Sequence, residues 1–244
     1  MTIVSGENER GAGYLRAAGR APLALYDPVV ALAMRERRFR SRLVRQVAAG
    51  WAGDGRRRGL TVCEVGCGTG SLALMLARTC GVAAVVAVDG DRDALARARA
   101  KASRRGGGAT PAGGATAGGA GAVDWRAGLA QRLPLDDESC DRVVLSLVLH
   151  HLSPADQRVA LREAARVLRP GGRVHVADWG RPDDPLMRAA FRVLQLVDGV
   201  ENTAPLGRGE LPALLDDAGF TAQRLHDRLR TGFGLLELRS ARRG

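Results

Sequence analysis

The stretch from Leu60 to Leu72 constrains the fold of this chain more than any other stretch. It begins with the apolar run LTVCEV and continues with glycines at every second position, Gly66, Gly68 and Gly70. An apolar pattern with helical spacing follows, so the order predicts a buried strand, a tight turn and a helix. Glycine allows a positive φ in such a turn and lets a ligand approach the backbone. The N–H groups at the helix start would face that ligand.

A second apolar run, 83–88, ends at Asp89, which lies 19 residues after Gly70. An acid at the tip of the second strand accepts hydrogen bonds from the ribose hydroxyls of a nucleoside bound at the first turn. The spacing suits a dinucleotide as well, but these glycines follow G-x-G-x-G, whereas dinucleotide sites use G-x-G-x-x-G. Glu64 stands just before the glycines, where its carboxylate would repel a pyrophosphate. A carboxylate suits a ligand with an ammonium and a sulfonium, so we expect S-adenosylmethionine as the cofactor.

Five phrases of the sequence resemble those of the class I S-adenosylmethionine-dependent methyltransferases, and they occur in the family's order. They are VCEVGCGTG (62–70), VDGD (88–91), LPLDDESCDRVV (133–144), LVLHHL (147–152) and RVLRPGGR (166–173). Alternating β and α segments predict an α/β fold, a doubly wound, mostly parallel sheet with helices on both faces. The resemblance implies a seven-stranded Rossmann-like sheet of order 3-2-1-4-5-7-6, with the last strand antiparallel.

The resemblance also implies which residues bind the cofactor. By their positions in the matching phrases they are Glu64, Gly66, Cys67, Gly68, Asp89, Gly90, Leu129, Ala130 and Ser146. Family members usually carry an acidic residue where this chain has Leu129, and that acid hydrogen-bonds the adenine amino group. In this chain adenine could rest on Leu129 and be read by backbone groups, with Gln131 or Asp91 as compensating side chains.

Two adjacent histidines, His150 and His151, follow the predicted fourth strand and are the candidate catalytic residues. One interpretation is structural, since a neutral histidine in a loop can simply satisfy backbone groups. In the other, one histidine faces the acceptor and takes a proton from its attacking atom. We favour His151 as that base, because Leu149 and Leu152 are packing partners that would draw His150 away from the acceptor.

Asp178 and Trp179 end the predicted fifth strand, where they either line the acceptor pocket or only pack. No metal site is predicted. The remaining predicted elements are helices over 91–104, 154–168, 185–200 and 211–218, strands over 122–126, 141–147 and 174–178, a turn at 170–172, and a hairpin over 221–239.

The predicted organisation is an N-terminal helical lid segment, 1–50, followed by one methyltransferase domain, 51–244. An amphipathic helix is expected over 27–47, and its basic residues can simply form a solvated face. The family resemblance implies instead that Tyr26 and the stretch Arg35 to Arg42 cover the cofactor. Residues from about 105 to 121 are almost only Gly, Ala and Thr. Such a stretch cannot bury enough apolar area to offset its ordering entropy, so we predict a flexible surface insertion there.

The net charge of +11 does not by itself indicate a nucleic-acid partner. All 37 basic residues except Lys101 are arginine, which together with abundant Ala and Gly indicates compositional bias. Aromatic residues, on which single-stranded bases stack, are few. The phrases LPLD (133–136) and HHL (150–152) resemble the small-molecule branch of the family, which implies in-line methyl transfer to O, N or C of a small or lipophilic metabolite. Two alternatives stay open: an RNA or protein methyltransferase, which the charge motivates, and a non-catalytic cofactor-binding protein, which Leu129 motivates.

The four cysteines lack paired C-x-x-C spacing, and no apolar run reaches the length of a membrane span. The start of the chain shows no secretory signal. These features predict reduced thiols in a cytoplasmic enzyme. The sequence leaves the oligomeric state open.

Overall fold

The computed structural model describes residues 36–49, 59–104 and 122–244. Tyr26, the first part of the predicted lid and the predicted insertion at 105–121 lie outside the described residues. The helix predicted over 27–47 is described from Glu36 to Ala48.

Seven helices and seven strands are described, in an order that alternates as the sequence predicts. The helices are α1 (Glu36–Ala48), α2 (Ser71–Ala77), α3 (Arg92–Arg104), α4 (Pro154–Val167), α5 (Pro185–Asp198), α6 (Val200–Gly207) and α7 (Leu211–Asp217). The strands are β1 (Leu60–Val65), β2 (Val82–Asp89), β3 (Val123–Ala127), β4 (Cys140–Ser146), β5 (Leu168–Trp179), β6 (Phe220–Thr231) and β7 (Gly234–Arg243). A 3-10 turn, Leu149–His151, follows β4.

The seven strands form one sheet in the order β3-β2-β1-β4-β5-β7-β6, which confirms the predicted topology. β1 pairs in parallel with both β2 and β4, whereas β7 runs antiparallel to β5 and to β6. The strand order reverses between β1 and β4. In open α/β sheets, ligands bind at such a switch point, beyond the carboxyl ends of the strands.

The sheet is apolar on both faces, because each face is covered by helices. Along β1, Val62 packs into one buried layer and Cys63 into the other, as the two-residue period of a strand requires. Helices α1 to α3 contribute to the first layer and α4 to α7 to the second. All four cysteines are free. Among the described helices, none is long and apolar enough to cross a membrane.

Two elements differ from the prediction. The turn predicted at 170–172 is an irregular part of β5, which starts at Leu168, pairs with Cys140 and resumes regular pairing at Arg173. Gly171, at φ 73°, provides the backbone conformation that this irregularity needs. The second difference is α6, which follows α5 after Gly199 at φ 90° and was not predicted as a separate helix.

Candidate functional site

The glycine turn after β1 is held in a conformation that other residues would strain. Gly66, Gly68 and Gly70 have φ values of 70°, 51° and 74°. A Cβ at Gly66 would lie 2.5 Å from Val148 Cγ2, and one at Gly70 would lie 2.4 Å from Trp125 Cη2. A Cβ at Gly68 would meet no atom of the described residues within 4 Å. Side chains therefore pack tightly against the turn at Gly66 and Gly70. Gly68 is uncovered, so a ligand can reach the backbone there.

Asp89 is the carboxylate that adjoins this turn. Its Oδ2 accepts the Gly68 N–H at 2.6 Å, and its Oδ1 accepts the Asp91 N–H at 2.8 Å. A carboxylate has about four acceptor positions, so each oxygen keeps one for a ligand hydroxyl. Asp91 Oδ1 accepts the N–H groups of Asp93 and Ala94 and thereby caps α3. Asp91 is therefore occupied in a structural role.

Glu64, at the end of β1, is a buried carboxylate with an orphaned oxygen. Glu64 is only 2% exposed, and its Oε2 has no hydrogen-bond partner among the described residues. Burial raises the pKa of Glu64 to about 8, and the charge of Asp89 adds to the rise, although Arg40 lowers it. A buried acid without a partner is costly. An ammonium group placed beside it would supply that partner.

Cys67 lies in the same turn and is buried, with its Sγ 3.8 Å from the Gly68 carbonyl oxygen. Burial, with the charges of Glu64 and Asp89, raises the pKa of Cys67 far above its usual value. The residue is therefore a neutral thiol that packs and does not act as a nucleophile.

Leu129 presents an apolar surface next to Gly90, the residue that follows β2. It is 54% exposed, and its Cδ2 lies 3.1 Å from where a Cβ on Gly90 would stand. Gly128 N–H donates to the Asp89 carbonyl oxygen at 3.0 Å, which ties this segment to the end of β2. Ala130 is partly buried against the core. An exposed leucine so close to Asp89 offers a flat base an apolar contact.

Beyond β4 and β5, Asp178 and His150 form a buried ion pair. His150 Nδ1 lies 2.7 Å from Asp178 Oδ1, and both side chains are almost fully buried. Asp178 also accepts backbone N–H groups from Val148 at 3.2 Å, Leu149 at 2.9 Å and Trp179 at 2.8 Å. Burial would raise the pKa of Asp178, but His150 and the backbone donors outweigh it and hold that pKa below its usual value. Conversely, Asp178 outweighs burial and raises the pKa of His150.

Asp198, the last residue of α5, extends this pair toward the surface. Its Oδ2 lies 3.8 Å from His150 Nε2, and its Oδ1 lies 3.7 Å from His151 Nδ1. Burial raises the pKa of Asp198. The sequence does not predict a role for Asp198, because no spacing pattern links the end of α5 to histidines so much earlier in the chain. Ligand atoms of His150, His151 and Asp198 lie within 4.8 Å of one another, close enough to hold a metal ion.

His151 differs from its neighbour in exposure and in basicity. Its side chain is 26% exposed, against 4% for His150. Burial, and then the charge of His150, lower the pKa of His151 to about 3. His151 is therefore a neutral and weakly basic ring near pH 7, whereas His150 is held in place by Asp178.

The structure groups the predicted site residues in two places. Glu64, Gly66, Cys67, Gly68, Asp89, Gly90, Leu129 and Ala130 lie around the ends of β1 and β2. Ser146, His150 and His151 lie at or just beyond the end of β4. Ser146 is half-buried and pairs with Ala177 of β5. Trp179 is buried, with its ring centre 5.9 Å from that of His150, so it packs behind the histidine.

The residues around the first group fit S-adenosylmethionine. The orphaned Glu64 oxygen suits an ammonium, the free acceptor positions of Asp89 suit ribose hydroxyls, and the space above Gly68 admits a ligand to the backbone.

Comparisons with known proteins point the same way. A family model described as a methyltransferase domain matches residues 63–176. The ubiquinone/menaquinone biosynthesis C-methyltransferase UbiE of Syntrophotalea carbinolica is 28% identical over 209 residues, covering 79% of this chain and 78% of that protein. An uncharacterized methyltransferase of a Synechocystis strain is 29% identical over 168 residues, covering 69% and 70%.

Among solved structures, the fold is similar to that of magnesium protoporphyrin IX methyltransferase from Synechocystis with bound SAH. The TM-score is 0.61 at 20% identity, over 97% of this chain and 96% of that one. The domain match and the similarity to proteins named as methyltransferases, taken with the glycine turn, Glu64 and Asp89, indicate methyl transfer from S-adenosylmethionine. The chain is an S-adenosylmethionine-dependent methyltransferase in which residues 63–176 match the methyltransferase domain.

Proposed function

We propose that this enzyme methylates a small, lipophilic acceptor at the ends of β4 and β5, with His151 as the base. The observation that carries the proposal is the array in which Asp178 holds His150 while Asp198 lies between His150 and His151. The relative named as a ubiquinone/menaquinone C-methyltransferase supports an acceptor of this class. The sequence lacks the Asn/Asp-Pro-Pro-Tyr motif of enzymes that methylate amino groups. The four free cysteines support a reducing, cytoplasmic compartment.

The cofactor supplies a methyl group that its sulfonium already activates, so the protein mainly has to align the acceptor with it. Glu64 would pair with the ammonium and Asp89 with the ribose hydroxyls. Leu129 would lie against the adenine. Gly68 leaves the backbone open to this approach, because a Cβ added at Gly68 would have no atom of the described residues within 4 Å.

His151 would remove the proton that the acceptor loses. A pKa of about 3 makes His151 a weak base, but it also keeps the ring neutral and ready at any physiological pH. A neutral nucleophile becomes positively charged as it gains a methyl group, and its proton then becomes acidic enough for a weak base. Asp198, 3.7 Å from His151 Nδ1, would stabilise the protonated ring. Such contacts often tighten when substrate binds.

His151→Ala is therefore expected to lower turnover about a hundredfold while leaving cofactor affinity unchanged. For an acceptor that ionises unaided, the loss should shrink as the pH rises, because the base is then no longer needed. Stopped assays across pH, with calorimetric cofactor binding, would measure both effects. An equal loss at every pH would show positioning instead of proton transfer, and full activity would return His151 to a structural role.

Asp89→Ala is expected to weaken S-adenosylmethionine binding by about 1.5–3 kcal/mol, the range for hydrogen bonds to a charged group. Part of the loss would come from the turn, because Asp89 also accepts the Gly68 N–H. Asp89→Asn keeps a carbonyl oxygen for that N–H and should lose less. Calorimetry that finds the affinity of a folded Asp89→Ala protein unchanged would remove Asp89 from the site.

The acceptor class is tested by screening with a labelled methyl donor. Lipid-extracted metabolite pools, total RNA and a protein extract would be offered in parallel, with His151→Ala as the control. Label in the lipid pool that disappears with the variant supports the proposal. Label in RNA or protein would favour the alternative, for which RNA affinity should also fall steeply with salt. No label in any pool would favour a cofactor-binding protein without catalysis.

A further inference from the structure

Helix α5 carries an exposed apolar stripe, defined here as Leu186, Val193, Leu196 and Val197, with Val200 at the start of α6. At 100° per residue the four α5 positions share one side of the helix, while Met187, Phe191 and Leu194 are buried on the other side. Of the eight large apolar side chains that are exposed in the described residues, five belong to this stripe. Leu196 is 85% exposed. Scattered exposed apolar residues are ordinary, but a continuous stripe marks an interaction surface.

An arginine groove lies along the next side of the same helix. It is a cavity of about 330 Å³ whose lining includes Phe191 and four arginines, Arg181, Arg188, Arg192 and Arg208. Arg208 pairs with Glu210. Within the described part of the chain, no carboxylate forms an ion pair with the other three. These three guanidinium groups lie next to exposed apolar side chains. The combination suits a ligand that has both an anionic group and an apolar part.

We propose that the apolar stripe and the arginine groove form a docking surface for an anionic phospholipid bilayer. The arginines would bind headgroup phosphates, whose geometry matches the guanidinium fork. The stripe would enter the boundary between headgroups and acyl chains, as amphipathic helices lying in a membrane interface do. This surface goes beyond the methyl-transfer site, and it does not depend on which acceptor is methylated.

Charge argues against the other occupants of this face. Residues 1–35 hold three acidic residues and four arginines, 50–58 hold one acid and three arginines, and 105–121 hold one arginine and no acid. Each of these segments has a net positive charge, so none of them neutralises the groove. In a two-fold pair formed through this face, both arginine grooves would lie in one interface and would add positive charge to positive charge.

The position of α5 gives the docking surface a use. The helix begins just after Arg181 of the groove and ends at Asp198, beside His150 and His151. A bilayer on the stripe would therefore lie next to the acceptor side of the enzyme. A lipophilic acceptor would then reach the site from the membrane without crossing water.

Flotation with vesicles of phosphatidylcholine, alone or mixed equally with phosphatidylglycerol, tests the proposal. The protein should float with the anionic vesicles only, and binding should fall as salt screens the arginines. Arg188→Glu/Arg192→Glu should weaken binding at least tenfold, since each basic residue near an anionic surface contributes roughly fivefold. The matched control is Arg97→Glu/Arg104→Glu, which makes the same charge change on α3, over the opposite face of the sheet.

A second pair of variants separates the contribution of the apolar stripe to vesicle binding from the contribution of the arginine charges. Leu196→Ser should weaken vesicle binding severalfold, whereas the same change at Leu225, which is exposed on β6, should not. Unchanged melting and cofactor affinity would show that the variants are folded. The proposal is overturned if anionic vesicles do not bind, or if the α3 control loses as much as the α5 variant. It is also overturned if light scattering shows a dimer that Leu196→Ser dissociates.

Discussion

Replacing Asp178 with alanine is expected to lower the free energy of unfolding by about 3–5 kcal/mol, the range for breaking a buried ion pair from one side. The variant would leave His150 without its partner and three buried N–H groups, those of Val148, Leu149 and Trp179, without an acceptor. For a chain of this size such a loss lowers the melting temperature by about 10 °C. Calorimetry or thermal circular dichroism would measure it.

Asp178→Asn is the matched control, because it keeps the shape of the side chain and one oxygen. It should lose less stability than the alanine variant but still lose the charge interaction with His150. A melting temperature unchanged in both variants would show that the His150–Asp178 pair is not formed in solution.

The same pair should give the stability a pH dependence that the alanine variant lacks. The Asp178 contribution is complete above the unfolded pKa of 3.8 and is lost as the pH falls through the lowered folded value. The His150 contribution is complete below the unfolded pKa of 6.5 and is lost as the pH rises through the raised folded value. The difference between wild type and Asp178→Ala should therefore be largest between about pH 4 and 6.5 and should shrink on both sides.

Glu64→Gln is expected to stabilise the cofactor-free protein by about 3 kcal/mol at pH 7. Burial raises the folded pKa of Glu64 from 4.5 to about 8, so the unfolded chain releases its proton first. Stability then falls as the pH rises through this interval, and glutamine removes the penalty. The melting temperature of the variant should exceed that of wild type at pH 7 and match it near pH 4.

The same substitution should weaken S-adenosylmethionine binding about tenfold, because the ammonium loses a charged partner. A residue with only a packing role would not move stability and affinity in opposite directions. Glu163→Gln serves as the contrast, since Arg166 lowers the pKa of Glu163 and the change should destabilise the protein without affecting binding. Calorimetry in two buffers of different ionisation enthalpy should also detect a proton released by Glu64 on binding. Its absence would show that Glu64 does not face the cofactor.

The sheet and the glycine turn beside Asp89 could be predicted because their signals are local. A strand, a glycine turn and an acid at the next strand tip are read along the chain, and the structure places Asp89 on the Gly68 N–H. The relation of Asp198 to the histidines could not be predicted, because it depends on how α5 packs across the sheet end. The irregular start of β5 could not be predicted for a related reason. Pro170 to Gly172 have the sequence of a turn, but long-range pairing with β4 makes them part of a strand.

The position of β7 between β5 and β6 determines when the sheet can be completed during synthesis. The other five strands can pair as they are made, but β6 emerges before β7 and, in the described sheet, pairs only with β7. Until β7 arrives, the β5 edge and the twelve residues of β6 present unpaired backbone groups. A nascent chain that stops before Gly234 would have two unpaired strand edges at once, those of β5 and β6. This interval is where chaperones, or aggregation with neighbouring chains, would compete with folding.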